Sequence, residues 1–150
     1  MEPLPSAQSA DILGLMEYLE TQGGSSELFQ VVAQTHVPFE KVLSAVKAAE
    51  MLDFVDTPKR LVILTPLGIR FIRAGMEERK ELWKARLLDL KLFRVVQEQL
   101  ELHEGQLTRE ELIAEIQSRL PMEDPELTFE TLVAWAASAS SSPTARRRAS

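Results

Sequence analysis

Cysteine is absent from the 150-residue sequence. That excludes disulfide bonds and cysteine-based zinc sites, and it fits a cytoplasmic location. Histidine is nearly absent: His36 and His103 are far apart and lack H-x-x-x-H spacing. Both therefore read as surface residues, and neither a metal nor any other cofactor is expected. The six glycines form no G-x-x-x-x-G-K-[ST] run, so nothing here cradles a phosphate in the manner of a nucleotide-binding loop. No G-x-S-x-G elbow accompanies the serines. "MEDPE" (122–126) gathers acids but lacks the alternating ligands and glycine of a calcium loop, and acids ahead of a helix suit its dipole. No apolar run reaches the roughly 20 residues that cross a bilayer. The N-terminal "MEPLPSAQSAD" lacks the basic-then-apolar order of a signal peptide. With no catalytic group to nominate, the chain is expected not to be an enzyme.

What is present is an ordinary globular composition, 45% apolar and 27% charged, with a net charge of -6 that is unevenly spread. Residues 1–66 hold 4 basic and 9 acidic side chains, and residues 95–135 hold 2 basic and 10 acidic. Between them, residues 67–94 hold 8 basic and 4 acidic side chains, a single basic belt of Arg70, Arg73, Arg79, Lys80, Lys84, Arg86, Lys91 and Arg94. Three consecutive arginines, Arg146 to Arg148, lie near the end of the sequence.

Apolar spacing at helical period predicts a helix over 9–22, capped by Ser9 and stopped by Gly23-Gly24. A second helix follows, capped by Ser25 or Ser26 and closed by "THVP". A third starts at Pro38 and buries Phe39, Val42, Leu43, Val46 and Ala49, leaving Glu40, Lys41, Ser44, Lys47, Ala48 and Met51 toward solvent. Then the pattern changes. Phe54-Val55 reads as a short strand, "DTPKR" as a turn and "LVILT" as the return strand. Thr65 caps the next helix, with Pro66 in its first turn. The order helix, helix, helix, strand, strand, helix is that of a winged helix-turn-helix over residues 1–75.

Residues 76–137 read as a helical subdomain. The helical region from Pro66 to His103 should break near Gly75 and Leu90. Its buried side is marked by Phe71, Ile72, Met76, Leu82, Trp83, Leu87, Leu88, Leu92, Phe93, Val96 and Leu100. Thr108 and Glu111 form a capping box for a further helix that Pro121 ends. A last helix, "PELTFETLVAWAASA", should turn Leu127 or Phe129, Leu132, Val133 and Trp135 inward. Residues 138–150 are low in complexity and are expected to be a disordered tail. The fold class is mainly α.

A winged helix invites a DNA-binding reading, with Lys41, Ser44, Lys47, Lys59 and Arg60 as the contacts. Phosphate neutralisation dominates such binding, and this module is acidic, so nucleic acid is disfavoured as a partner. The belt offers a different surface. A basic amphipathic helix can grip an acidic partner, with Arg70, Arg73, Arg79, Lys80 and Lys84 as the nominated contacts. Against this, Glu77, Glu78, Glu81 and Asp89 interleave at i+3 and i+4 spacing and can neutralise the belt along its own helix.

Several ordered features resemble one family. They are "LP" before the first helix, "GG" between the first two, "AAEML-F" before the wing, "LTPLG" after it, "ERKELWKARLL", and "TFETLVAW" near the end. Over residues 3–136 the chain resembles the AAA-associated C-terminal domain behind the nucleotide-binding subunit of nitrate, sulfonate, taurine and bicarbonate type ABC transporters. The resemblance implies a regulatory or docking appendage of an importer ATPase, with no catalytic residues to carry over. Its expected partner is the ATPase or permease subunit, reached at the inner face of the membrane. Self-association through the C-terminal helices is a further reading. Family members carry an ATPase domain in front. This chain begins at Met1 without one, so ATP turnover through that domain's motifs is not expected. After Trp135 the family continues with an aromatic and acidic segment, where this chain has "AASASSSPTARRRAS".

Overall fold

The structure, a computed structural model, describes residues 1–139. Its first helix, α1 (Ser9–Thr21), buries Ile12, Leu15, Met16 and Leu19, the spacing of one helical face. The cap sits one residue earlier than Ser9. Asp11 reaches back so that its Oδ2 accepts the Gln8 N–H at 3.4 Å. Ser9 instead accepts a hydrogen bond from the Ser138 hydroxyl at 2.8 Å. Gly23 and Gly24 end the helix with φ of 84° and 104°, a left-handed exit that glycine takes at little cost. The Gly24 N–H closes it onto the Leu19 carbonyl at 2.8 Å.

The residues expected to cap the second helix form a strand. β1 (Ser25–Glu27) lies along β3 (Leu61–Leu64), which also pairs with β2 (Val55–Asp56), giving an antiparallel sheet in the order β1-β3-β2. Glu27 takes over as cap of α2 (Leu28–Thr35), its carboxylate accepting the Phe29 N–H at 3.1 Å. α3 (Phe39–Met51) buries Val42, Ala45, Val46, Ala48 and Ala49. Two assignments on it change. Ala48, expected at the surface, is fully buried, and Phe39, expected inside, is 40% exposed. Phe39 stacks instead on the exposed Phe29 at 5.9 Å.

The segment after β3 shows why threonine, proline and glycine stand where they do. Thr65 Oγ1 accepts the Gly68 N–H at 2.9 Å and donates to the Asp53 carbonyl at 2.6 Å. Its own N–H donates to the Phe54 carbonyl at 3.0 Å. That carbonyl lies so close to Gly68 that any Cβ there would overlap it. α4 (Pro66–Arg73) is thus pinned directly onto the residue that precedes β2.

The helical region breaks at the two places expected. Gly75 caps α5 (Met76–Leu88), and Leu90 caps α6 (Lys91–Leu102). Met76, Leu88 and Leu100 are exposed rather than buried. α7 (Arg109–Arg119) opens on the expected capping box. Thr108 Oγ1 accepts the Glu111 N–H at 3.1 Å, and Glu111 Oε1 accepts the Thr108 N–H at 3.0 Å. α8 (Pro125–Ala139) buries Leu132 and Trp135 and leaves Leu127 and Val133 outside. Ser138 and Ala139 belong to α8, and the remainder of the expected tail lies outside the described residues.

One aromatic chain runs through the molecule. Phe54 stacks on Phe71 at 4.4 Å, Phe71 meets Trp83 at 6.2 Å, Trp83 meets Trp135 edge-on at 6.1 Å, and Trp135 stacks on Phe93 at 6.4 Å. Both indoles are satisfied by main chain. Trp83 Nε1 donates to the Trp135 carbonyl at 2.8 Å and Trp135 Nε1 to the Ala7 carbonyl at 2.7 Å. A buried indole needs such a partner, and these two bonds tie the N-terminal segment, α5 and α8 together. Residues 1–75 and 76–137 therefore share one core.

Candidate functional site

The eight cations of the belt do not form one surface with one role. Arg79 is turned inward. Its guanidinium donates to the carbonyls of Phe71 and Ile72, at 3.2 and 2.5 Å, and sits over the Phe71 ring at 5.8 Å. Those are carbonyls in the last turn of α4, and that of Phe71 also accepts the Ala74 N–H at 3.2 Å. Arg86 does the same for α3, donating to the Leu52 carbonyl at 2.9 Å while pairing with Asp89 at 3.1 Å. Both arginines thus clamp helix ends, and neither is free to meet a partner.

Arg70 and Arg73 are exposed but paired. Arg70 meets Glu78 at 2.9 Å, and Arg73 meets Glu20 of α1 at 2.7 Å. Neither pair follows the i+3 or i+4 spacing read from the sequence. Glu77 and Glu81 make no ion pair with any described residue. Lys80, Lys84, Lys91 and Arg94 are likewise without an ion pair among the described residues. The belt is therefore neutralised across helices at Arg70 and Arg73 and at the expected i+3 spacing by Arg86 with Asp89, while Lys80, Lys84, Lys91 and Arg94 stay unpaired among the described residues.

Of the residues nominated for nucleic acid, Lys41 and Lys47 are exposed on α3 and Ser44 is half-buried beside them. Lys59 and Arg60 are exposed in the turn between β2 and β3, with Lys59 in the left-handed region at φ 57°. Glu50 also belongs to this face. Its carboxylate accepts the Thr57 hydroxyl at 2.5 Å, fixing a negative charge between α3 and the turn. A phosphate bridging those two elements would meet that charge, which is unfavourable for duplex binding.

Lys47 faces a different feature. It lines a groove of about 730 Å3 together with Lys91 and Arg94, Met51 of α3, Leu90 and Leu92 at the start of α6, and the segment Met1–Pro5. The groove joins a residue of the second set to the free end of the belt, which residue spacing alone does not reveal. Both histidines are exposed, as expected. His103 Nδ1 lies 2.8 Å from the Gln99 carbonyl, and Nε2 lies 3.8 Å from Glu111. The Thr108 backbone N–H, then its hydroxyl, hold the Glu111 carboxyl below the usual carboxylate range, with His103 contributing less.

The family model described as the C-terminal AAA-associated domain matches residues 29–140. That span takes in α2, less its first residue, through α8. No curated protein and no solved structure gives a match.

Proposed function

From the premise that the chain belongs to the C-terminal AAA-associated domain family, we propose that it is a non-enzymatic regulatory or docking module for an ABC importer ATPase of the nitrate, sulfonate or bicarbonate type. The observation that carries the reading is the length of the family match. It takes in α3, β2, β3 and the helical subdomain alike, and the shared aromatic core makes these one unit. A family named for association with AAA ATPases supports an ATPase as the partner. The importer type rests on the "LTPLG", "ERKELWKARLL" and "TFETLVAW" resemblances.

Residues 1–75 are proposed to be a winged helix serving protein contact. The order helix, strand, helix, helix, strand, strand and the β1-β3-β2 sheet support that architecture. The Glu50–Thr57 bond and the acidic balance of residues 1–66 support protein rather than duplex DNA as what it meets. The module works on the cytoplasmic side, at the inner face of the membrane through its transporter partner. No helix among the described residues is long and apolar enough to cross a membrane.

The test is co-expression with an importer ATPase, followed by affinity capture and a measurement of ATP turnover with and without the chain. Capture together with a change in turnover supports the module. A chain that leaves the ATPase untouched and instead binds one discrete duplex site at physiological salt contradicts it.

A further inference from the structure

The groove between Met1–Pro5, α3 and the α5–α6 corner has an uneven charge inventory. Its basic lining comes from separate elements, Lys47 from α3 and Lys91 and Arg94 from the first turn of α6. None of the three is paired with a described acid. Its acids are Glu2, Glu50 and Asp89. Asp89 is offset by Arg86, whereas Glu50 keeps its charge while accepting the Thr57 hydroxyl, so the three cations face two uncompensated carboxylates, Glu2 and Glu50. α6 adds to the imbalance, since Leu90 offers no side-chain cap and the first turn holds no acid. Two cations at the positive end of a helix dipole repel it, and a carboxylate arriving there relieves both.

The remaining lining is apolar: Met51 and Leu90 are half-buried, and Leu4 and Leu92 form the floor from within the core. At about 730 Å3 the groove is far larger than a single inorganic anion and has room for a few side chains. Unpaired cations around an apolar lining suit a chain segment that alternates carboxylates with an apolar side chain.

We infer that this groove seats an acidic segment of the partner ATPase, with Lys47, Lys91 and Arg94 taking its carboxylates and the half-buried Met51 and Leu90 taking an intervening apolar side chain. The identity of the partner rests on the docking-module reading. The chemistry of the groove does not. Lys80 and Lys84, nominated from the sequence, do not line the groove. They act only through the general field, which is screened within a Debye length of about 8 Å at physiological salt.

The probe is a fluorescein-labelled octapeptide of glutamate interrupted by leucine, followed by anisotropy with the full chain. Saturable binding that weakens with salt is expected. Lys47→Glu, Lys91→Glu and Arg94→Glu together should lower affinity by about tenfold or more, whereas Lys80→Glu with Lys84→Glu should change it by no more than about twofold. All three groove cations are exposed, so circular dichroism should show the fold retained. If the triple reversal does not fold, the single changes Lys47→Gln, Lys91→Gln and Arg94→Gln give the same test.

Absence of saturable binding at low salt overturns the inference. So does equal loss in the two multiple variants, or displacement of the peptide by millimolar inorganic phosphate. A dimer that the triple reversal dissociates, seen by sedimentation, makes a second copy the occupant and overturns it as well. ATPase capture that survives the triple reversal removes the groove from the interface and leaves the docking module standing. Peptide binding with no ATPase capture by any variant overturns the partner and leaves the groove's acidic specificity standing.

Discussion

Replacing Gly68 by alanine tests whether the junction between the sheet and α4 is as tight as it looks. In a helix, alanine ordinarily gains about 1 kcal/mol over glycine. Here the added methyl would overlap the Phe54 carbonyl, which is backbone and cannot swing aside. Overpacking of this kind costs about 1–3 kcal/mol, occasionally more. Moving that carbonyl also threatens its bond from the Thr65 N–H, 3.0 Å long, worth about 0.5–1.5 kcal/mol. Phe54 itself is fully buried and stacked at 4.4 Å on Phe71, so the displacement reaches the aromatic core. After crediting the helix gain, a net loss of about 0.5–3.5 kcal/mol is expected from these terms, roughly 1–14 °C in Tm for a domain of this size. Gly14 is the matched control. It lies inside α1 with nothing near its missing Cβ, so Gly14→Ala should raise stability by about 0.5–1 kcal/mol. Urea and thermal unfolding of both variants, followed by circular dichroism, decide the matter. A Gly68→Ala Tm equal to or above the parent's would refute the close approach and, with it, the placement of α4 on the Phe54 segment.

Phe54→Ala removes the ring between Phe71 and Trp83 and should cost about 3–5 kcal/mol, read as loss of the cooperative melt near ambient temperature; a parent-like melt would contradict the core assignment. Tyr18 carries a buried hydroxyl with no hydrogen-bond partner among the described residues, so Tyr18→Phe should be neutral or stabilising by up to about 1–2 kcal/mol in urea titration. Glu111 has its carboxyl held below the ordinary range by the Thr108 N–H, so its contribution is present above the unfolded carboxylate pKa and fades as pH falls through the lower folded value. Glu111→Gln should therefore separate from the parent in melts near neutrality and converge with it in acid.

Much of the framework was legible because local rules and tertiary packing agree. The Ile12-Leu15-Met16-Leu19 stripe, the Thr65-Pro66 start, the Thr108–Glu111 box and the breaks at Gly75 and Leu90 each follow from residues close in sequence. β1 was not legible. Ser-Ser-Glu has no strand preference, and the segment becomes extended only through its pairing with β3. The belt was legible as charge and, at Arg86–Asp89, as i+3 pairing, but not in its longer-range contacts. The Arg73–Glu20 pair and the Arg86 bond to Leu52 join residues distant in sequence, and helical spacing within α5 cannot foresee them. Phe39 shows the same limit. Its spacing places it inward, yet it stacks on Phe29 at the surface. The groove depends on α3 meeting the α5–α6 corner, a tertiary event that brings Lys47 beside Lys91 and Arg94.

The central claim is that this chain acts by docking on an ATPase. Sedimentation velocity of the purified chain mixed with the nucleotide-binding subunit of a nitrate- or sulfonate-type importer tests it most directly, at low and at physiological salt. The account predicts a discrete complex that weakens as salt rises and whose ATP turnover differs from that of the subunit alone. Two independently sedimenting species at every ratio and both salts, with unchanged turnover, would contradict it.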